Sequence, residues 1–403
     1  MRVKKWQAYV AALIIGITTL SLGAATTNIE LKNNNPSNPS TTHFVTPPPP
    51  DVTAKSYVLM DYNSGRIIAE KNADKQYPPA SLTKLMTLYI VSSAIQTGQT
   101  SLDSEVRISE KAWKTGGSRM FVKVNSKVPV KELLQGVIVA SGNDACVAMA
   151  EHIAGSESSF ADMMNQTAKA LNMNDSHFTD STGLPHKNHV STAKDFAILA
   201  RALIQDFPEY YHWYKQKWFT YNDIKQPNRN RLLWRDESVD GLKTGHTNAA
   251  GYCLVSSAKR NDMRLIAVTM GSTSENARAN DAQALLNYGF RFFESHKLFS
   301  ANTPVSTPRV WLAKNKKVAV GFTKDFYVTI PAGQYPNLKA KVIFEKDLKA
   351  PIIKGKSYGK VVVTLNNEEI GSEPLIALTD NPKGSIFTRI RDRIILLFHG
   401  WFA

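Results

Sequence analysis

A serine and a lysine three residues apart, at the predicted start of a helix, constrain this chain more than any other feature. Residues 79–84 carry them and lead into apolar residues at helical spacing, namely Leu82, Leu85, Met86, Tyr89 and Ile90. Because Pro78 and Pro79 cannot lie deep inside a helix, we place Ser81 at the helix N-terminus. Side chains at i and i+3 share a helix face, so Lys84 could accept the proton of Ser81. A capping serine followed by a solvated lysine is the alternative.

Two further short motifs follow along the chain. Ser141-Gly142-Asn143 connects two predicted helices, 130–139 and 145–153, and its residue types also suit an ordinary capping turn. Lys243-Thr244-Gly245 precedes predicted strands at 251–257 and 264–270, so Lys243 is expected on or beside an edge strand. Gly245 would let a ligand approach the backbone closely.

The order Ser-x-x-Lys, Ser-x-Asn, Lys-Thr-Gly is the set found in penicillin-binding proteins and serine β-lactamases. From about residue 56 to its C-terminus, the sequence resembles low-molecular-weight penicillin-binding proteins that are serine-type D-alanyl-D-alanine carboxypeptidases. The stretches that carry the resemblance are 79–84, 141–146, 226–230, 240–247 and 289–294. Gly142 stands where the general pattern has aspartate, and glycine at this position resembles the form found in this subfamily.

The resemblance implies an α+β fold. It predicts a transpeptidase domain of the penicillin-binding and β-lactamase type at residues 52–296, with an antiparallel sheet and helices. A small all-β domain at 297–384 and a terminal amphipathic helix at 385–403 would follow. A length of 403 residues, with 43% hydrophobic residues, suffices for two or three domains with proper cores.

The same resemblance implies roles for individual residues. Ser81 would be the nucleophile, Lys84 its base if Lys243 nearby keeps it neutral, and Ser141 a proton relay to the leaving amine. Backbone N–H groups of Ser81 and His246 would form the oxyanion hole. The expected substrate-binding residues are Asn143, Lys243, Thr244, Gly245, His246 and Arg278. We expect no metal and no cofactor, since the nine histidines show no metal-ligand spacing.

The implied reaction removes the terminal D-alanine from peptidoglycan pentapeptides through an acyl-serine intermediate, in cell wall biosynthesis and the control of cell shape. Stem peptides ending in D-Ala-D-Ala are the expected substrates, and β-lactam antibiotics the covalent inhibitors. A class A β-lactamase is disfavoured, because no Glu-x-x-x-Asn arrangement occurs between Asn143 and Lys243. A penicillin-responsive sensor with vestigial turnover stays open.

The N-terminus indicates export. Arg2, Lys4 and Lys5 precede an apolar run at 8–22 that ends in small residues, which predicts a signal peptide at 1–25. An uncleaved membrane anchor is the alternative. Residues 26–51, rich in Asn, Pro, Ser and Thr, are predicted to form a disordered linker. Only two cysteines occur, Cys146 and Cys253, and both are expected to be buried free thiols.

The C-terminus suggests a peripheral anchor at the periplasmic face of the bacterial inner membrane. One helical face collects apolar residues, Ile386, Phe387, Ile390, Ile394, Leu397, Phe398 and Trp401. A net charge of +15 suits an anionic phospholipid surface, and no recognisable module points to nucleic acid. A terminal helix packed on its own domain is the alternative.

Overall fold

The computed structural model describes residues 26–29, 31, 46–344 and 347–402, with side chains described for 28–29, 31, 46–344 and 347–397. The signal peptide predicted at 1–25 lies outside these residues. The described chain forms two compact units. The larger unit contains residues 46–297 and 327–336, and the smaller unit contains 26–29, 31, 298–326, 337–344 and 347–402.

The strands, in chain order, are β1 (Thr26–Ile29), β2 (Ser56–Asp61), β3 (Ile67–Lys71), β4 (Glu105–Arg107), β5 (Lys127–Pro129), β6 (Trp218–Tyr221), β7 (Ile224–Pro227), β8 (Val239–Thr247), β9 (Gly251–Arg260), β10 (Met263–Ser272), β11 (Phe293–Phe299), β12 (Pro304–Ser306), β13 (Val320–Gly321), β14 (Phe326–Pro331), β15 (Leu338–Phe344), β16 (Ser357–Leu365) and β17 (Glu368–Ala377).

The α-helices are α1 (Lys84–Gln96), α2 (Glu110–Lys114), α3 (Val130–Gln135), α4 (Asn143–Ala154), α5 (Glu157–Ala170), α6 (Ala193–Asp206), α7 (Pro208–Tyr211), α8 (Leu232–Arg235), α9 (Glu275–Phe292) and α10 (Ile386–Phe402). Tighter 3₁₀ turns occupy Ala80–Thr83, His212–Lys215 and Tyr335–Asn337, and a wider π-turn occupies Gly136–Ala140.

A five-stranded antiparallel sheet, in the order β3-β2-β10-β9-β8, organises the larger unit. Successive side chains of a strand point to opposite faces, and β2 shows the consequence. Val58 and Met60 pack into the helical core that includes α1, α4 and α6, whereas Tyr57 and Leu59 pack with α9 on the other face. The mixed helix and sheet architecture confirms the predicted fold class.

A second antiparallel sheet, in the order β1-β15-β16-β17-β13-β12, forms the smaller unit. A hairpin turn lies between β16 and β17, where Asn366 and Asn367 have φ of 51° and 70°. Consecutive left-handed asparagines match the twist of the flanking strands.

The linker prediction is wrong for residues 26–29. These form β1, which pairs with β15 in the register Thr26↔Ile343 to Ile29↔Ala340. The two threonines and the isoleucine are β-branched, which favours a strand, and an exposed sheet edge offers partners to their backbone. At the other end of the predicted linker, the Pro47 carbonyl accepts a hydrogen bond from the Tyr288 hydroxyl at 2.9 Å.

The boundary predicted at residue 297 also needs correction, because residues 327–336 belong to the larger unit. Thr329 explains the placement. Its hydroxyl hydrogen-bonds Ser64 and its carbonyl accepts from the Arg66 guanidinium, both in the turn between β2 and β3. The sequence of residues 326–330 is typical of a strand, and these residues lie in β14, but a strand pattern does not specify the partner.

Helix α10 starts within the smaller unit. The Asp392 carboxylate is buried and accepts from the Leu312 N–H at 2.9 Å. Five apolar side chains are exposed, namely Ile386, Phe387, Ile390, Ile394 and Leu397. The predicted apolar face also included Phe398 and Trp401, whose side chains lie outside the described set. Within the described chain, every helix is too short or too polar to cross a membrane.

Candidate active site

Ser81 and Lys84 lie where the 3₁₀ turn Ala80–Thr83 passes into α1. The Lys84 ammonium nitrogen, Nζ, donates to Ser81 Oγ at 2.9 Å and to the Thr182 carbonyl at 2.6 Å. Lys84 is fully buried, so the amine that contacts Ser81 is shielded from water. The predicted pairing of serine and lysine is therefore present in the structure.

Burial lowers the pKa of Lys84 to about 8, because desolvation disfavours the charged amine. The negative charge of Asp180 acts in the opposite direction, and the positive charge of Arg229 adds to the lowering. We expected Lys243 to keep Lys84 neutral. Burial has the larger effect, and the positive charge of Arg229 adds to it.

Ser141 follows directly on the π-turn that ends α3. It adopts a left-handed conformation with φ of 58°, and α4 begins two residues later at Asn143. Its Oγ accepts from Lys243 Nζ at 3.0 Å. This hydrogen bond joins the second motif to the third across 102 residues of sequence.

Lys243 lies on β8, the edge strand of the five-stranded sheet, as predicted. It is buried, and its Nζ also donates to the Thr244 carbonyl at 3.1 Å. Burial lowers the pKa of Lys243 well below its usual value, and the positive charge of Lys84 lowers it further. The two buried lysines are thus electrostatically coupled, so a charge on one opposes a charge on the other.

Gly245 allows β8 to approach the Ser81 turn. A Cβ at this position would lie 3.1 Å from the Pro79 carbonyl oxygen and 3.2 Å from the backbone nitrogens of Ser81 and Leu82. We expected the glycine to admit a ligand. The structure shows that it also admits the backbone that carries Ser81, which brings the first and third motifs together.

Asn143 begins α4 with only half of its amide engaged. Its Nδ2 donates to the Gly116 carbonyl at 2.7 Å, while its buried Oδ1 has no hydrogen-bond partner within the described chain. The next residue, Asp144, accepts from the backbone N–H groups of Met120 and Phe121 at 2.8 Å each. Asn143 therefore retains a free acceptor on an anchored side chain.

The end of β8 contains Thr244 and His246 and is contacted by Arg278. Thr244 is buried, whereas the His246 ring is exposed and stacks on Tyr252 with centroids 4.0 Å apart. Arg278 is only 4% exposed, and its guanidinium donates to the Gly245 carbonyl at 3.3 Å and to Glu275 at 3.2 Å. Arg278 is thus a buried arginine whose hydrogen bond to the Gly245 carbonyl stabilises the strand that carries Lys243.

Sequence reasoning missed the Thr182 carbonyl and Arg229. A backbone acceptor has no side-chain signature, so no motif could have revealed Thr182. Arg229 belongs to the stretch 226–230, which carried the resemblance without a role. In the structure, Asn230 of that stretch donates to the Gly241 carbonyl on β8 at 3.0 Å, which fixes the stretch beside the site.

Comparison with known families agrees with this geometry. Residues 42–274 match the peptidase S11 model, described as D-alanyl-D-alanine carboxypeptidase. The chain belongs to this family. Residues 293–383 also match the model of the penicillin-binding protein 5 C-terminal domain.

Alignments with individual relatives cover most of this chain. It is 44% identical to D-alanyl-D-alanine carboxypeptidase DacC of Escherichia coli K12 over 362 residues, which cover 88% of the chain and 90% of the relative. The crystal structure of penicillin-binding protein 5 from Haemophilus influenzae superposes with a TM-score of 0.80 at 43% identity. That match covers 83% of this chain and 99% of the other.

A more distant relative was solved with an antibiotic. Penicillin-binding protein D2 of Listeria monocytogenes, in its ampicillin-bound form, is 29% identical and has a TM-score of 0.56. It covers 60% of this chain and is itself covered completely. The family membership predicted from the three motifs is therefore confirmed.

Gly183, next to the Thr182 carbonyl, gives a test of how tightly this site is packed. Its φ is +84°, and an added Cβ would overlap the Ala80 carbonyl oxygen. We expect Gly183→Ala to lower the free energy of unfolding by about 3 kcal/mol, from backbone strain plus the clash. Urea unfolding followed by tryptophan fluorescence measures the change.

Gly98→Ala is the matched control, because Gly98 has a similar φ of +78° but nothing within 4 Å of the added Cβ. Strain alone should lower the free energy of unfolding by about 1 kcal/mol there. Equal losses in the two variants would contradict a close approach of Gly183 to the Ser81 turn.

Proposed function

We propose that this chain is a serine-type D-alanyl-D-alanine carboxypeptidase with Ser81 as its nucleophile and Lys84 as its base. The observation that carries the proposal is the 2.9 Å hydrogen bond between Lys84 Nζ and Ser81 Oγ, made by an amine with no exposure to water. A lysine with a pKa of about 8 is partly neutral near neutral pH, and only a neutral amine can accept a proton.

In the acylation step, Ser81 Oγ attacks the carbonyl carbon of the penultimate D-alanine and its proton passes to Lys84. The peptide bond breaks as the serine ester forms, and the leaving D-alanine amine must gain a proton. Lys84 gives up the proton that it took from Ser81, and Ser141 is assigned to relay that proton to the leaving amine, since its hydroxyl accepts from Lys243 Nζ at 3.0 Å within the same site. Water then hydrolyses the ester and frees Ser81.

The remaining residues would hold the substrate. Lys243 and Thr244 are assigned to the terminal carboxylate, which requires a cation and a hydroxyl donor. The unpartnered Oδ1 of Asn143 suits an amide N–H of the peptide. Backbone N–H groups of Ser81 and His246 are assigned to the oxyanion, and the close approach of Gly245 to Ser81 supports that assignment.

Arg278 is assigned a supporting role at the carboxylate side. Its guanidinium holds the Gly245 carbonyl and Glu275, so it stabilises the end of β8 and adds positive charge behind it. Penicillins are assigned as covalent inhibitors of Ser81, by similarity to the ampicillin-bound Listeria relative.

Release of D-alanine tests the nucleophile. We expect the wild-type chain to release free D-alanine from a peptide ending in D-Ala-D-Ala. Ser81→Ala should lower kcat by at least about 10³-fold, since the hydroxyl assigned to form the ester is lost. A coupled D-amino-acid oxidase assay measures the product.

Ser93→Ala, on the same helix, is the control and should keep wild-type turnover. Penicillin labelling alone cannot distinguish an enzyme from a sensor with vestigial turnover, whereas D-alanine release can. Retained release in Ser81→Ala would falsify the nucleophile assignment.

The pH dependence of acylation tests the base. Burial favours neutral Lys84, so the reactive form is lost as pH falls through its pKa of about 8. We expect the second-order rate constant for acylation by a fluorescent penicillin to rise with pH and to reach half its maximum near pH 8. Stopped-flow measurements between pH 6 and pH 10.5 check it. A rising limb centred near the ordinary lysine value of 10.4 would contradict the assignment.

We further propose that the protein is exported and held at the outer face of the membrane by α10. The support is the set of exposed apolar side chains, of which Phe387 is 86% exposed, on the face opposite the buried Asp392. An apolar helix face flanked by arginines suits the interface of an anionic phospholipid bilayer.

Cell fractionation tests this anchor. We expect Phe387→Ser combined with Leu397→Ser to shift most of the full-length chain from the membrane fraction to the soluble fraction, because burial of both apolar side chains is lost. Deletion of residues 385–403 should have the same effect. Ile353→Ser, an exposed apolar position on the same unit, is the control and should not shift the protein. Unchanged sedimentation of the deletion variant would refute the anchor.

A further inference from the structure

The segment 180–183 lies along the buried side of the first turn of α1. The Thr182 carbonyl accepts from Lys84 Nζ at 2.6 Å, and the Ser181 carbonyl accepts from Thr87 Oγ1 at 2.7 Å. Ser181, Thr182, Lys84 and Thr87 are all buried. Two successive carbonyls therefore face this helix, and one of them contacts the amine of Lys84.

Asp180 holds this segment in shape. Its Oδ1 accepts from the Thr182 N–H at 2.7 Å, from Thr182 Oγ1 at 2.6 Å and from the Gly183 N–H at 2.7 Å. Burial opposes ionisation, but the hydrogen bonds from His189 and Thr182 prevail and hold the pKa of Asp180 well below its usual value. Asp180 is therefore a carboxylate throughout the working pH range.

His189 connects Asp180 back to the active-site turn. Its Nδ1 lies 3.1 Å from Asp180 Oδ2, and its Nε2 lies 2.9 Å from Thr83 Oγ1. The ring is only 2% exposed. Since Thr83 precedes Lys84 in the chain, the contacts close a ring from Lys84 through Thr182, Asp180 and His189 to Thr83.

We propose that Asp180 and His189 are positioning residues, which fix the Thr182 carbonyl against Lys84 and thereby aim the Lys84 amine at Ser81. The inference rests on the proposed function, in which Lys84 is the base. The three sequence motifs predicted Lys84 as the base, but Asp180 and His189 lie outside all three motifs.

The chemistry explains why the carbonyl matters. A neutral lysine amine has two N–H bonds and one lone pair, and it rotates freely about its terminal bond. When one N–H donates to the Thr182 carbonyl, the rotation is restricted and the lone pair can be held toward the Ser81 proton. A displacement of about 1 Å in such a group can lower the rate roughly 10²-fold.

Steady-state kinetics of D-alanine release test the proposal with Asp180→Asn. We expect kcat to fall roughly 10- to 100-fold while KM stays within about twofold, because Asp180 orients the base and does not bind substrate. The Asp180 carboxylate raises the pKa of Lys84, so its loss should move the rising limb of the pH profile to lower pH. The other charged or titratable groups facing Lys84, namely Cys146, Asp144, Arg229 and Lys243, are unchanged in this variant.

Thr83→Val is a second variant that removes a hydrogen bond to His189 without removing a charge. We expect it to lower kcat with the rising limb in its wild-type position. It keeps the proposal testable even where Asp180→Asn does not fold, since valine has nearly the shape of threonine.

Asp195→Asn is the matched control. Asp195 is also a buried carboxylate that fixes this part of the chain, accepting from the Asp175 N–H at 3.1 Å and from Ser176 Oγ at 2.6 Å. It should lower thermal stability and leave kcat and the rising limb unchanged.

The outcomes separate the two proposals. A wild-type chain that releases no D-alanine contradicts the proposed function itself. An active wild type whose kcat is unchanged in both Asp180→Asn and Thr83→Val contradicts only the positioning role. An equal loss of kcat in Asp195→Asn would also overturn it, because general loosening would then explain the effect.

Discussion

The structure depends above all on the burial of one amine. Lys84 has no exposure to water, and its Nζ has two hydrogen-bond partners, Ser81 Oγ and the Thr182 carbonyl. A buried ammonium is costly unless it is paired, so an environment of this kind stabilises the neutral form. The helical core around α1 thus favours a neutral amine at Lys84, which is the form that the proposed mechanism requires of a base.

The five-stranded sheet positions the second lysine of the site, Lys243. Lys243 lies within hydrogen-bonding distance of Ser141. Its strand, β8, is at the edge of the sheet, where β9 is its one strand neighbour in the described chain and the Ser81 turn packs beside Gly245. Any side chain at Gly245 would meet the backbone at Ser81 at about van der Waals distance or closer. Arg278 then holds the Gly245 carbonyl from behind. The edge strand is therefore held in place at Gly245, next to the turn that carries Ser81.

Much of this arrangement was predictable from the sequence, because the groups to which the proposed reaction is assigned are side chains in short motifs. Ser81 and Lys84 are three residues apart at the start of a helix, and Lys243 lies in a short motif beside predicted strands, so their positions could be inferred from local sequence patterns. The predicted strands and helices of the larger unit also occur close to their expected bounds. What could not be predicted is carried by the backbone or by long-range packing. The Thr182 carbonyl has no residue signature, and the burial of Arg278 depends on strands and helices far apart in sequence. For the same reason, the pairing of residues 26–29 with β15 was missed.

Electrostatic coupling between Lys84 and Lys243 would link binding of the substrate to the protonation state of the proposed base. In the free protein, burial and the charge of Lys84 both lower the pKa of Lys243. A substrate carboxylate beside Lys243 acts oppositely, because an adjacent negative charge favours the ammonium form. Once Lys243 is charged, its field disfavours a charge on Lys84, which is then the amine that must be neutral to accept the proton of Ser81. By linkage, the terminal carboxylate would prepare the base as well as bind the peptide, and a substrate without that carboxylate would lose both effects together.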